Sequence, residues 1–121
     1  MITELGKELR RIRIDRDEKM LDMAKKLEKS PAFVSSLETG KKTPPTGFEE
    51  AVIQAYSLAT AAADKLRMAA DRSRRAFTLE PKSAFGRDTA GLMARRINDL
   101  SERDLEEIRR ILSRGSKPNG K

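Results

Sequence analysis

Ser30-Pro31 and Gly40 fence one short helix into the middle of this chain, and the fence leaves few ways to arrange what surrounds it. A serine hydroxyl accepts a hydrogen bond from an N–H group that a helix start leaves unpaired. Proline's fixed φ suits the first helical position. Gly40 takes the left-handed conformation that ends a helix without a side-chain clash. Between these markers Val34 and Leu37 turn inward, leaving Pro31, Ala32, Phe33, Ser36 and Thr39 outward. Just upstream, Met23, Ala24 and Leu27 give another helix an apolar face, which Glu28 and Lys29 interrupt. Residues 19–44 therefore predict two short helices joined by a tight turn. Helices this short are marginal alone and must pack on others.

The flanking sequence supplies those others. A first helix is expected from Thr3 to Asp15, with Ile2, Leu5, Leu9 and Ile12 as its apolar stripe and Lys7, Arg10 and Arg11 solvated. Arg16-Asp17-Glu18-Lys19 is a polar link. Pro44-Pro45 forces an extended connection, and Thr46 with Glu49 three residues later has the form of a capping box. Phe48, Val52, Ile53, Ala55 and Tyr56 then close a five-helix core that ends near Leu58.

The order of these residues resembles the lambda-repressor-like helix-turn-helix family, also called Xre or Cro type. The resemblance runs from about Leu5 to Leu58. It is carried by Ala24, where a small side chain lets two helices cross, by the buried pair Val34 and Leu37, and by the ending Leu37-Glu38-Thr39-Gly40-Lys41-Lys42-Thr43-Pro44. Leu9-Arg10-Arg11-Ile12-Arg13 matches the family's first helix. The resemblance implies a buried ion pair between Arg13 and Glu38, base readout by Pro31, Ala32, Phe33 and Ser36, and a duplex DNA partner. Phosphate contacts are expected from Ser30, Ser35, Thr39, Lys41 and Lys42. Three positions depart from the pattern. Met20 replaces a phosphate-holding Gln, Glu28 replaces a Gly with positive φ, and Lys29 replaces an apolar residue. The readout set is unusually apolar. Ala32 or Phe33 can rest on a thymine methyl, and only Ser36 can hydrogen-bond through its side chain. Phosphate contacts and DNA shape should therefore carry more of the recognition.

The 121 residues contain no cysteine and no histidine, which removes disulfides, thiolate metal sites and the commonest general base. No phosphate-cradling glycine loop or nucleophile elbow is present. Expectation is thus a non-enzymatic, cytoplasmic protein with no cofactor, no metal and no membrane span. The net charge of +7 favours anionic partners. It is unevenly placed: residues 1–58 carry a surplus of one positive charge, and residues 59–121 a surplus of six.

The domain reading is a DNA-binding head over 1–58, a helical dimerisation extension over 59–112 and a disordered tail over 113–121. From Ala59 to Ala76 a long helix is expected, with Leu66, Ala69 and Ala70 in a seam with Ala62. Lys65, Arg67, Arg72, Arg74 and Arg75 lie mostly on other faces, either solvated or touching DNA backbone. Phe77 and Leu79 alternate with polar residues before Pro81, as in a short strand that would need a second copy's strand beside it; extended linker is the other reading. Gly86-Arg87-Asp88 opens a helix carrying Leu92, Met93, Ile97 and Leu100. Ser101, with Asp104 at the third position, caps a last helix carrying Leu105, Ile108, Ile111 and Leu112, stopped by Gly115. These stripes bury too little alone, so they and the Phe77–Leu79 segment are assigned to a homodimer interface. The expected function is a dimeric, sequence-specific DNA-binding regulator, most plausibly a repressor. An antitoxin that also represses its own operon and blocks a toxin is the alternative, and a protein-binding adaptor is a third.

Overall fold

The computed structural model describes residues 1–114, which are mainly helical, with seven α-helices, a short 3-10 turn and no strand. The chain divides into two compact units, Met1–Phe77 and Thr78–Lys121. No helix among the described residues is long and apolar enough to cross a membrane.

Five helices build the first unit: α1 (Glu4–Asp15), α2 (Met20–Leu27), α3 (Pro31–Glu38), α4 (Phe48–Tyr56) and α5 (Thr60–Arg72). Local chemistry explains most of the boundaries. The Thr3 hydroxyl caps α1 by accepting from the Gly6 N–H at 3.0 Å. Asp22 accepts the Lys19 N–H at 2.8 Å where α2 begins. Glu28 ends α2 in the left-handed conformation, at φ 57°. Ser30 caps α3, accepting from the Phe33 N–H at 3.0 Å, with Pro31 at the first turn. Gly40, at φ 79°, turns the chain away.

The entry to α4 differs from the sequence expectation. Thr46 is not the cap; Gly47 holds that position in the left-handed conformation, at φ 87°. The turn from Pro45 to Phe48, closed by a 3.1 Å backbone bond, starts the helix one residue later than a Thr46 box requires. Glu49 binds Arg74 at 2.7 and 3.0 Å.

Leu5, Leu9, Met23, Ala24, Val34, Leu37, Val52 and Tyr56 form one fully buried cluster with Leu66 and Ala70. The last two come from α5, so the compact unit runs past Leu58 to Phe77, and α5 is its fifth helix. Residues 1–58 contain only four helices. Burying a leucine such as Leu66 contributes about 1.5–3 kcal/mol, so the shorter segment leaves a large hole in the core. The α5 seam is also shifted: Ala63 is buried and Ala62 exposed. Ala55 likewise faces solvent. Arg74, expected on a free face, donates to the carbonyls of Pro44 at 3.1 Å and Pro45 at 2.8 Å as well as to Glu49.

The second unit contains α6 (Ala84–Arg96), a 3-10 turn (Ile97–Asp99) and α7 (Glu102–Arg114). Ser83 caps α6 by accepting from the Gly86 N–H at 2.9 Å, so this helix starts before Gly86. Ser101 accepts from the Asp104 N–H at 3.1 Å, and the Asp104 carboxylate accepts from the Ser101 N–H at 3.3 Å, the reciprocal box expected. α7 continues through Ser113 and Arg114, which had been assigned to the tail. Gly115 and the remaining tail lie outside the described residues. Phe77 and Leu79 sit in irregular backbone; a single chain offers no neighbouring edge on which a strand could form.

Candidate functional site

α3 presents its outer surface from the edge of the first unit. Pro31 and Ala32 are exposed. Phe33 is not the free side chain the sequence suggested. It is half-buried against the core, its ring centroid 6.2 Å from that of Phe48 and tilted by 58°. The ammonium groups of Lys29 and Lys42 stand 5.2 and 5.5 Å from the Phe33 ring, close enough for cation–π attraction.

The hydroxyls assigned to DNA contacts are largely occupied within the helix. Ser36 donates to the Ala32 carbonyl at 2.9 Å and Thr39 to the Ser35 carbonyl at 2.9 Å. The Ser30 hydroxyl serves the α3 cap. Ser35 is half-buried. The strongest free donors on this side are therefore Lys41 and Lys42. Both are exposed, and neither has a carboxylate partner among the described residues.

Those two lysines line a cleft of about 770 Å³ together with Thr3, Glu4, Leu37, Gly40, Thr43, Arg72, Ser73 and Arg75. Arg75 also lacks a carboxylate partner among the described residues. Arg72 meets Glu4 at 3.3 Å, with both side chains more than half exposed, a pair worth little in water. Four cations and one carboxylate thus surround a concave wall, a geometry that focuses positive potential. No local pattern links Arg72 and Arg75 to Lys41 and Lys42, about thirty residues earlier. The end of α5 has to fold back beside the loop after α3 to bring them together.

Beneath this wall lies the Arg13–Glu38 pair. Arg13 grips both Glu38 oxygens, the Nη1–Oε2 contact very short and the Nη2–Oε1 contact 3.3 Å. The Glu38 side chain is only 1% exposed and that of Arg13 9%. Arg10 stands 3.6 Å from the same carboxylate. The Glu38 carbonyl accepts from both the N–H and the hydroxyl of Thr3, at 3.0 and 3.2 Å. Gly6 permits this approach. A Cβ there would fall on the Glu38 carbonyl oxygen and come within 2.8 Å of Ile2 Cγ2. Gly6 was not singled out from the sequence, where a glycine inside a helix signals only reduced helix propensity.

The residues assigned to dimerisation are scattered in exposure. Leu92, Met93, Leu100 and Ile108 line one groove of about 370 Å³ with Thr89 and Arg96. Leu105 is half-buried. Phe77, Leu79, Ile97, Ile111 and Leu112 are exposed. No protein family, curated protein or solved structure matches the chain.

Proposed function

We propose that the first unit is a lambda-repressor-like helix-turn-helix head, with α3 as its recognition helix. It binds duplex DNA sequence-specifically, and the protein regulates transcription as a dimeric repressor. The observation that carries this reading is the cationic cleft beside α3, where Lys41, Lys42 and Arg75 have no carboxylate partner among the described residues. A phosphate backbone is the anion that such a row fits, because each neutralised phosphate releases condensed counterions. α3 offers bases Pro31, Ala32, the outer edge of Phe33 and Ser36. Apolar contact to thymine methyls and the shape of the duplex supply the specificity.

Selection of bound sites from a random DNA pool, followed by salt titration on the selected site, tests the proposal. Ser36→Ala should weaken the selected site by about 1–3 kcal/mol and leave random DNA unaffected. Neutralising Lys41 and Lys42 together, or Arg72 and Arg75 together, should weaken all sequences and lower the salt slope by about 1 per lost contact. An absence of DNA affinity at low salt would refute the reading. The apolar surface of α3 would then favour a protein partner.

A further inference from the structure

Lys29 stands in the turn before α3, exposed, with its ammonium 5.2 Å from the centre of the Phe33 ring. Lys42, from the loop after α3, reaches the same ring at 5.5 Å. Phe33 is half-buried and packs on Phe48, so the core holds the ring that both cations share. The two ammoniums lie within about 11 Å of each other, near the screening length of about 8 Å in physiological salt, so they still repel.

The same unit shows what a completed arrangement of this kind contains. The Tyr56 ring also has two cations over it, Lys26 at 4.5 Å and Arg16 at 5.4 Å. There a carboxylate neutralises the cluster. Glu18 is 2.5 Å from the Lys26 ammonium and accepts from the Tyr56 hydroxyl at 2.7 Å. At Phe33 the cations and the ring are present, but neither Lys29 nor Lys42 has a carboxylate partner among the described residues. The ring attracts each ammonium and cancels neither charge. An anion is what this cluster lacks, and its cations face solvent.

We propose that Phe33 is a positioning residue whose ring holds Lys29 and Lys42 ready for the DNA backbone, and that Lys29 takes a phosphate. Lys42 also lines the cleft with Lys41, Arg72 and Arg75. The ring therefore joins Lys29 to that cationic wall and carries the row past the start of α3. Side chains held in place before DNA arrives lose less rotamer freedom when the complex forms. This inference rests on the DNA binding proposed for α3, and it adds a contact and a role that the apolar readout does not supply.

The test uses the full chain, with affinity measured on a selected duplex and on random duplex DNA over a range of salt. Lys29→Ala should weaken both about three- to tenfold at low salt and lower the salt slope by about 1. Phe33→Leu keeps an apolar side chain against Phe48 but removes the ring. In that background Lys29→Ala should cost about twofold or less, whereas in Phe33→Tyr, which keeps the ring, its full effect should persist. Core packing alone predicts no such coupling. In the free protein, the ε-methylene protons of Lys29 and Lys42 should carry ring-current shifts that Phe33→Leu abolishes and Phe33→Tyr retains.

A Lys29→Ala variant with unchanged affinity and slope, on DNA that the wild type binds, would overturn the phosphate contact and leave the helix-turn-helix reading standing. An undiminished effect of Lys29→Ala in Phe33→Leu, or ring-current shifts absent from the wild type, would remove the positioning role. No duplex affinity at low salt would remove the DNA reading and this inference together.

Discussion

Replacing Arg13 by alanine leaves the Glu38 carboxylate with one cation, Arg10, at 3.6 Å on a side chain that is itself half exposed. Breaking a buried pair from one side costs about 3–5 kcal/mol, and the partial cover from Arg10 places Arg13→Ala near the lower figure. Glu38→Ala belongs near the upper one. It strands a guanidinium that is 9% exposed, with the Met23 sulfur at 3.4 Å as its remaining acceptor. A domain of this size has about 5–15 kcal/mol in total, so either change removes a large share. Substituting both with apolar residues, Arg13→Met with Glu38→Leu, should recover part of the loss, because no lone charge remains inside. The assay is urea unfolding followed by tyrosine fluorescence. Tyr56 is the chain's only tyrosine, there is no tryptophan, and Tyr56 is buried in the first unit, so the signal reports that unit alone. Single losses that add without coupling in the double variant, or an Arg13→Ala midpoint equal to wild type, would show that the pair does not hold α1 to α3.

Gly6→Ala improves helix propensity by about 1 kcal/mol but drives a methyl into the Glu38 carbonyl, so a net loss of about 1–3 kcal/mol is expected; a raised melting temperature would refute the close approach. Glu28→Gly should stabilise by about 1 kcal/mol, since Glu28 holds φ 57° against its Cβ, and a lower unfolding midpoint would show that the side chain itself supports the turn. The side-chain bonds from Arg74 hold the Glu49 carboxyl below its usual range, outweighing the opposing effect of burial. A lowered folded pKa gives stabilisation that is present above the ordinary carboxylate pKa and lost as pH falls through the folded value. Glu49→Gln should therefore flatten the acid side of the stability profile in melts at stepped pH. Burial first, and then the hydrogen bond to Glu18, raises the Tyr56 phenol. That stabilisation is complete below the ordinary phenol pKa and fades as pH rises beyond it, which alkaline melts will detect as a loss absent in Tyr56→Phe.

Where a boundary depends on the residues beside it, the sequence was informative. Ser30, Pro31 and Gly40 bound α3, and Ser101 with Asp104 caps α7, because capping is settled within one helical turn. The pairing of Arg13 with Glu38, 25 residues apart, entered through the family resemblance, since no local rule links them. Features decided by packing were harder to see. In α5 Ala61, Ala62 and Ala63 stand in succession, so the pattern does not separate Ala62 from Ala63, and the place of α5 in the core follows only from packing. The cap expected at Thr46 yielded to the Pro45–Phe48 turn. Phe33 was placed outward by its spacing, but Phe48 stands across from it and draws its ring halfway in. Arg72 and Arg75 gain their significance only when α5 ends beside the loop that carries Lys41 and Lys42.

Arg74 bears on any attempt to graft a foreign α3 into this unit. Its guanidinium holds two successive carbonyls, those of Pro44 and Pro45, and a carboxylate two helical positions into α4. The connection after α3 is therefore shaped by a residue about thirty positions later. A chimera that imports a foreign α3 with its own connection will inherit a guanidinium with nothing to hold, even if every imported side chain is correct. Transplants that keep residues 44–49 with Arg74 as one cassette, and exchange only residues 31–43, respect the join that the molecule itself uses.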